Sequence, residues 1–146
     1  MKQKIVFTLA LLTVMTGLYA QELSNFINRK PIISPEISAA EVTFRLLAPE
    51  ADTVKITGGF TPTVKMKTQW GEMDVPGSLT LTKGDDGLWT ITLPLPEAEL
   101  YTYSFLVDGV AINDPNNILL QRDGTRFLSV LLVPGKKTEN YFEANK

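Results

Sequence analysis

The 146-residue sequence contains no cysteine and no histidine. Without cysteine the chain cannot form disulfides, bind zinc through thiolates, carry a cysteine-linked lipid anchor or use a cysteine nucleophile. Without histidine, Ser-His-Asp and Cys-His arrangements have no imidazole base. The G-x-S-x-G nucleophile motif is absent as well, and the nearest string, Pro76-Gly77-Ser78, lacks the second glycine. The sequence therefore excludes an acyl-transfer site of the usual kind.

The sequence also has no excess of basic residues over acidic ones. The chain holds 14 Lys and Arg against 16 Asp and Glu, a formal net charge of −2. Without Lys2 and Lys4 the counts are 12 basic and 16 acidic residues, a net charge of −4. Nucleic acid and anionic membranes are therefore not expected partners. No calcium-binding loop and no phosphate-binding glycine loop occurs either, so we predict no cofactor and no metal.

Residues 1–20 have the organisation of a secretory signal peptide. Two lysines begin the segment, an apolar run follows over residues 5–14, and small residues precede the exit at Ala20. The apolar run is shorter than the ~20 residues that span a membrane, and Thr13 interrupts it. We expect cleavage after Ala20, export to the periplasm or the extracellular space, and no membrane attachment of the mature chain.

The rest of the chain has the size and composition of one domain. Hydrophobic residues make up 44% of the sequence, and no low-complexity stretch divides it, so one core is expected. Residues 21–40 are predicted to form an extended lead-in, residues 41–135 the folded domain, and residues 136–146 a polar tail or truncated linker.

Several short segments alternate apolar and polar residues with the period of two that is typical of half-buried strands. Turn signals separate them, the clearest being Gly84-Asp85-Asp86-Gly87 and Asp108-Gly109. The predicted strands are Val42–Leu46, Thr53–Thr57, Leu79–Thr82, Trp89–Leu93, Tyr101–Val107, Val110–Ile112 and Phe127–Val133. About seven strands without an amphipathic helix predict an all-β, immunoglobulin-like β-sandwich.

The alternation fails between Phe60 and Gly77, where prolines and glycines punctuate a polar stretch. We expect a long inter-strand loop there, with room for a short hairpin within it. The loop holds Trp70, and sugar rings stack on exposed aromatic side chains. Trp70 is therefore the first candidate for glycan binding, although it can instead cap the core. Phe60 directly follows two glycines and is open to either role.

Other aromatic residues are expected inside the domain. Trp89 is in register with Ile91, and Tyr101 and Tyr103 share a strand face with Phe105. We predict that all of these belong to the core and that the two tyrosine hydroxyls reach its rim.

Two suitably placed carboxylates suffice for glycoside hydrolysis, so pairs of aspartates are candidates for a catalytic site. The candidates are Asp85, Asp86, Asp108 and Asp114. The first three adjoin glycines in turns, where an aspartate side chain accepts hydrogen bonds from nearby backbone. We therefore expect structural roles for these residues and no catalytic residues in the chain.

Four strings follow one another along the domain: VTFRLLAPEADTVKITGGF, KGDDGLWTITLPL, ELYTYSFLVDGVAINDPNN and RDGTRFLSVLLVPG. Together they resemble the N-terminal early-set domain of exported Bacteroidota esterases of carbohydrate esterase family 1, which includes feruloyl and acetyl-xylan esterases. The match spans about residues 31–135. It implies a non-catalytic accessory module of polysaccharide degradation, partnered by a plant-type polysaccharide or oligosaccharide and by an α/β-hydrolase esterase domain.

That domain is similar in turn to carbohydrate-binding module family 48. The glycogen-binding version uses two tryptophans and a lysine at three places, and the resemblance puts Thr63, Ser104 and Ala111 there. Starch or glycogen binding through the usual face is therefore not expected. The remaining polar candidates near the corresponding edge are Asn116, Asn117 and Thr125. An asparagine in such a loop can also serve the turn itself.

In the esterase family an α/β-hydrolase domain with a serine nucleophile follows the sandwich, whereas this sequence stops at Lys146. The resemblance thus leaves two expectations: a free-standing module, or a fragment of an esterase whose sandwich is purely structural. The second predicts an exposed apolar patch where the partner domain would pack.

Overall fold

The structure of the protein, a computed structural model, describes residues 31–143. The predicted signal peptide at residues 1–20 lies outside the described residues. Residues 21–30 of the predicted lead-in and the last three residues of the predicted tail also lie outside them.

Within residues 31–143 the chain forms twelve β-strands and one short helix. They are β1 (Glu36–Ile37), β2 (Glu41–Leu47), β3 (Val54–Gly58), β4 (Thr63–Thr68), β5 (Gly71–Pro76), β6 (Ser78–Thr80), β7 (Thr82–Lys83), β8 (Leu88–Pro94), β9 (Leu100–Val107), β10 (Val110–Ile112), β11 (Leu120–Asp123), β12 (Arg126–Leu132) and α1 (Glu139–Glu143).

Two antiparallel sheets pack face to face. The four-stranded sheet has the order β1-β2-β8-β7, and the six-stranded sheet runs β11-β12-β9-β3-β6 with β10 paired to β9. One hydrophobic core lies between them. The predicted all-β, immunoglobulin-like β-sandwich is confirmed.

Every second side chain of the long strands points into this core. In β2, for example, Val42, Phe44 and Leu46 are buried, while Thr43 and Arg45 are only half-buried. The twelve members of the core cluster are Val42, Phe44, Leu46, Ala51, Val54, Ile56, Leu81, Trp89, Tyr103, Phe105, Leu131 and Val133. Burying a large apolar side chain stabilises a fold by about 1.5–3 kcal/mol, and with no cysteine in the chain this packing is not supplemented by disulfides.

The predictions for the core aromatics are confirmed with one exception. Trp89 is buried, and its Nε1 donates a hydrogen bond to the Ala48 carbonyl at 2.9 Å. Tyr101 packs against the core and donates its hydroxyl to the Glu97 carbonyl at the exposed rim. For Tyr103 the rim prediction is wrong, because its hydroxyl donates inside the protein to Asp114 Oδ2 at 2.8 Å.

The short hairpin expected within the segment from Phe60 to Gly77 is confirmed, but it takes up most of that segment, so the expected long loop is wrong. β4 and β5 pair along all six residues of each strand. Apolar and charged residues do alternate there, as Val64, Lys65 and Met66 show. The prolines and glycines that stand around the base of the hairpin obscured this pattern.

The predicted third strand, Leu79–Thr82, is in fact two strands in different sheets. β6 pairs with β3 in the six-stranded sheet, whereas β7 pairs with β8 in the four-stranded one. Leu81 lies buried between them. Periodicity could not reveal this crossing because the alternation of apolar and polar residues continues through it.

Three short elements were not predicted: β1 in the lead-in, β11 after the Asn-rich loop, and α1 in the tail. Their two, four and five residues are too few for a periodic signal. The start of the tail is also anchored, because the buried Thr138 donates its hydroxyl to the Val133 carbonyl at 2.7 Å.

Two turn glycines with positive φ allow a test of the close contact between Gly87, which directly precedes β8, and Pro49. A Cβ on Gly87 (φ +76°) would lie 2.6 Å from Pro49 Cβ, whereas a Cβ on Gly109 (φ +87°) would meet nothing within 4 Å. Both alanine variants incur left-handed backbone strain of about 1 kcal/mol. Only in Gly87→Ala does the added methyl group also clash with Pro49, and such overpacking destabilises a fold by a further amount of about 1–3 kcal/mol. Urea denaturation should therefore show a larger loss in the free energy of unfolding for Gly87→Ala than for Gly109→Ala. Equal losses would contradict the contact with Pro49.

Candidate functional site

The β4–β5 hairpin, residues 63–76 and hereafter the arm, is a two-stranded sheet separate from both sheets of the sandwich. Its base is held by short hydrogen bonds. The Thr61 hydroxyl lies 2.8 Å from the Gly58 carbonyl and 2.9 Å from the Gly77 carbonyl, and Gly77 N donates to the Pro62 carbonyl at 2.7 Å. At six residues per strand, the arm is about 20 Å long.

Trp70 lies in the turn at the tip of the arm, and its side chain is 82% exposed. The turn itself is ordered by Thr68: its hydroxyl accepts from Trp70 N at 3.2 Å and donates to the Gly71 carbonyl at 2.8 Å. Trp70 therefore does not cap the core. Its backbone is held while its indole faces solvent.

The two faces of the arm differ in character. Val64 and Met66 lie directly opposite Val75 and Met73, which makes one face apolar. Side chains on this face remain open to solvent: Val64 and Met66 are each 48% exposed and Met73 is 51% exposed.

The other face of the arm is charged. Lys65 lies opposite Asp74, with 3.4 Å between Nζ and Oδ1, and Lys67 lies opposite Glu72. Pairs this exposed contribute at most about 1 kcal/mol each. The charged face is therefore hydrated, and it leaves the arm with no net charge.

Phe60 takes the packing role that the sequence left open. Its ring stacks on Phe44, with 5.2 Å between centroids and 11° between planes. Tyr101 and Tyr103 meet it at 6.1 Å. Phe60 is thus half-buried in an aromatic cluster.

The two candidate asparagines have different surroundings. Asn117 Nδ2 donates to the Tyr103 hydroxyl at 3.1 Å and to the Val130 carbonyl at 2.7 Å, and its Oδ1 accepts from Leu119 N. These bonds use both amide hydrogens. Asn116 is half-buried next to it, and its backbone N donates to Asp114 Oδ1 at 2.9 Å. Asn117 therefore serves the turn.

Asp114 is the centre of a buried polar network. It is 2% exposed, and its Oδ2 accepts from Ser34 Oγ at 2.6 Å and from the Tyr103 hydroxyl at 2.8 Å. Its backbone N donates to Ser129 Oγ at 2.8 Å. Burial, followed by the charge of Asp114, raises the pKa of Tyr103 far above its usual range. The phenol therefore stays protonated and donates to the carboxylate.

Two of the candidate aspartates accept hydrogen bonds from nearby backbone. Asp108 has a φ of 48° and accepts at Oδ1 from Asp52 N and from Thr53 N. Asp86 Oδ1 accepts from Leu88 N at 3.0 Å. Both side chains thus order turns, as predicted.

The positions that the resemblance aligns with glycogen-binding residues are spread over two sheets. Ser104 and Ala111 lie on the outer face of the six-stranded sheet, opposite Thr57 and Leu106 respectively. Thr63 begins the arm. Small side chains at these places leave this part of the surface without a stacking ring.

Thr125 is exposed in the turn between β11 and β12, beside Gly124. That hairpin belongs to one edge of the six-stranded sheet, whereas the arm leaves the chain between β3 and β6 at the other edge. Four strand spacings separate β11 from β6, about 19 Å. The structure therefore brings Asn116 and Asn117 together but holds the base of the Trp70 arm away from Thr125.

Apolar side chains also remain uncovered beside the sandwich. Val110 pairs with Val107, Ile112 with Phe105 and Leu120 with Ser129, so they face the inner side of the six-stranded sheet. They are nevertheless 37–65% exposed, as is Phe127 on the same side of β12. We call these four residues, Val110, Ile112, Leu120 and Phe127, the open edge.

A groove of about 630 Å³ lies beside β11, and its apolar lining consists of Leu100 of β9, Leu119 and Leu120 at the start of β11, and Val130 and Leu132 of β12. Gln121, Arg122 and the Tyr141 ring from α1 supply its polar groups. A sugar needs many more hydrogen-bond partners for its hydroxyls. The groove therefore suits an apolar ligand better than a glycan.

Among residues 31–143 no group of three or more Asp or Glu is placed to hold a metal ion. Across the same residues, no helix has the length and apolar character needed to cross a membrane.

No protein-family model and no curated protein matches this sequence. Solved structures do match it. Pullulanase type I from Bacillus subtilis str. 168, complexed with maltose, superposes with a TM-score of 0.50 at 16% identity, over 74% of this chain and 14% of that one. The match defines the class of fold, a β-sandwich of the kind found in pullulanases.

Two further solved structures are also similar to this chain. Pullulanase from Anoxybacillus sp. LM18-11, complexed with maltotetraose, has a TM-score of 0.46 at 22% identity over 71% of this chain and 14% of that chain. A putative alpha amylase from Salmonella typhimurium has a TM-score of 0.47 at 20% identity, over 74% and 16% of the two chains. This chain thus spans only a small part of each of these proteins.

The buried network around Asp114 generates a stability prediction. Tyr103→Phe removes the hydroxyl between Asp114 and Asn117 and leaves both with one partner fewer, so we expect a loss of about 1–3 kcal/mol in the free energy of unfolding. Tyr101→Phe is the matched control, because its hydroxyl bonds a carbonyl at the exposed rim, and it should lose less than about 1 kcal/mol. Urea titration at pH 7 measures both; a larger loss for Tyr101→Phe would refute this role of Asp114.

The raised pKa of Tyr103 also predicts how stability depends on pH. The folded state holds the phenolic proton more tightly than the unfolded chain, whose tyrosines titrate near pH 10. The stabilisation of the folded state that follows from this difference is complete below about pH 10 and is lost as the pH rises further. The urea midpoint should therefore fall between pH 8 and pH 11, and it should fall less in Tyr103→Phe. An equal fall of the urea midpoint in both proteins would contradict a raised pKa for Tyr103.

Proposed function

We propose that this chain is a non-catalytic accessory module of an exported polysaccharide-degrading enzyme and that it contacts glycan through Trp70. The observation that carries the proposal is the 82% exposed indole at the tip of the arm. A ring held by an ordered turn offers a flat surface for the apolar face of a sugar. Packing of the sandwich does not account for its position.

The fold supports an accessory role. The pullulanase with the TM-score of 0.50 was crystallised with maltose, and the part that resembles this chain is 14% of its length. A part of that size fits a module that assists a larger enzyme. The four strings that resemble esterase sandwiches favour a carbohydrate esterase as that enzyme and a plant-type polysaccharide as the ligand.

The remaining candidates contribute differently. Asn116 and Thr125 make no side-chain hydrogen bond within residues 31–143, so both can meet sugar hydroxyls. Phe60 and Asn117 already have packing and hydrogen-bonding partners in the fold. With Thr63 at a place where the glycogen-binding family has an aromatic residue, the affinity rests on few contacts, and we expect weak binding.

Binding titrations of the mature chain against xylan, arabinoxylan and starch oligosaccharides test this function. Loss of one stacking contact is worth about 0.5–1.5 kcal/mol, so Trp70→Ala should weaken binding by roughly 2- to 12-fold. Phe142→Ala serves as the control, because Phe142 is an exposed aromatic residue on α1, away from the arm.

A wild-type chain that binds none of these glycans would remove the glycan role. Undiminished binding by Trp70→Ala would instead move the site elsewhere on the sandwich. An equal loss in Phe142→Ala would mean that any exposed aromatic residue suffices, which would argue against a specific site at Trp70.

The second candidate function is structural: the sandwich packs against an α/β-hydrolase esterase domain. The specific observation in its favour is the apolar surface left uncovered on the arm and at the open edge, of the kind that marks protein contacts. Reading the genomic DNA downstream of codon 146 tests the fragment version. A continuation that encodes G-x-S-x-G and a histidine would support it, and an intergenic region would oppose it.

A further inference from the structure

The groove beside β11 has the size of a small-molecule site and lies away from the arm. Its volume is about 630 Å³, within the roughly 300–1,000 Å³ of ligand pockets in proteins. Val130 lines it from β12 and is only 6% exposed. β11 forms one edge of the six-stranded sheet, whereas the arm leaves the chain next to β6 at the other edge, and none of the lining residues belongs to the arm. A ligand in the groove therefore leaves Trp70 exposed.

The lining of the groove follows the strands over several residues. In the β11–β12 ladder Arg122 pairs with Phe127, and Leu132 lies five residues further along β12. Five strand residues measure about 17 Å. Tyr141 comes from α1, which follows β12 in the chain, so its ring borders the groove at the Leu132 end. The groove is thus elongated, with Tyr141 at one end and Arg122 at the other.

Aliphatic side chains make up most of this lining. Five of its eight residues are leucine or valine, and Leu119 and Leu120 are 48% and 49% exposed. Covering apolar surface of this kind is worth about 25 cal/mol for each Å² removed from water. An unbranched alkyl chain can follow the groove along its length, whereas a single aromatic ring covers only part of it. The shape and the lining therefore favour an aliphatic ligand.

Arg122 is the one charged residue of the lining. Its Nε donates to the Gly124 carbonyl at 3.0 Å, which holds the guanidinium at the β11–β12 turn. Within residues 31–143 no carboxylate pairs with Arg122, whereas Arg126 in the same hairpin pairs with Asp123 at 3.1 Å. Because β11 is an edge strand, side chains from both of its faces border the groove. The groove thus ends at a positive charge whose terminal nitrogens remain available to an anion.

We propose that the groove binds an aliphatic carboxylate, with the alkyl chain on the leucines and the carboxylate on Arg122. A guanidinium holds a carboxylate through two parallel hydrogen bonds. Gln121, the next residue of the lining, has an amide group that can donate to the same carboxylate. This site is distinct from the proposed glycan contact at Trp70 and does not rest on it.

Titration of the mature chain with decanoate and with decan-1-ol tests the proposal, because the two probes share one alkyl chain and differ in charge. Arg122→Gln should weaken decanoate binding about two- to fivefold, the loss expected for one solvent-exposed ion pair, and should leave decan-1-ol binding unchanged. Arg126→Gln is the matched control: it removes the same charge from an arginine that lies outside the lining, and it should change neither affinity.

A second pair of variants tests the apolar part of the site. Leu119 lines the groove and is 48% exposed, whereas the adjacent Ile118 is 94% exposed and lies outside the lining. Leu119→Ser should weaken the binding of both probes about four- to tenfold, because the ligand covers the open half of this leucine. Ile118→Ser should leave both affinities unchanged. Circular dichroism checks that all four variants keep the wild-type fold.

Amide chemical shifts locate the bound probe. Decanoate should move the signals of residues 119–122 and 139–142, and those of the arm should stay in place. Raising the ionic strength should weaken the binding of decanoate and not that of decan-1-ol, since salt screens the exposed charge of Arg122.

Four results would overturn the proposal. Decanoate that does not bind to the wild-type chain would remove the site. Undiminished binding of decanoate by Arg122→Gln would assign the groove to neutral apolar ligands, and tighter binding of cinnamate than of decanoate would assign it to aromatic carboxylates. Shifts confined to the arm and the open edge would show adsorption to exposed apolar surface. The glycan role is judged separately by the Trp70 titrations.

Discussion

A buried carboxylate is tolerated only when hydrogen bonds replace its lost water, and Asp114 imposes this requirement on the sandwich. Its side chain accepts from Ser34 Oγ of the lead-in and from the Tyr103 hydroxyl of β9, while its backbone donates to Ser129 of β12. Asn117 then bonds the same phenol. Asp114 thus joins its own loop to three other segments, the lead-in, β9 and β12, in a chain that has no cysteine to connect them covalently.

Packing and hydrogen bonding between the two sheets also determine which aromatic side chains remain free to contact a ligand. The Tyr103 hydroxyl donates to Asp114, Phe44 stacks on Phe60, and the Trp89 indole donates to the Ala48 carbonyl. These rings fill the space between the sheets. Trp70 stands apart because the arm pairs with neither sheet, and so its ring remains available to a ligand.

The parts of the protein that stabilise the fold are therefore distinct from those that leave apolar surface uncovered. Burial and the Asp114 network hold the body together, whereas the arm and the open edge carry the uncovered apolar surface. Small side chains at Ser104 and Ala111 leave the outer sheet face without a platform. The apolar surface on the arm and at the open edge therefore lies at the periphery of the fold, which is where the proposed accessory role would place its contacts.

Alternation alone identified the sandwich, because side chains of a strand point to opposite faces in turn, and so Val42, Phe44 and Leu46 mark a core-facing strand without any knowledge of its neighbours. The turn roles of Asp86 and Asp108 were equally local. Alternation could not reveal that the chain changes sheets at Leu81, nor that Asp114 meets Ser34 across 80 residues. Whether Trp70 and Phe60 face solvent or the core likewise depends on which elements pack nearby. Such contacts join residues remote in sequence, and only the tertiary structure decides them.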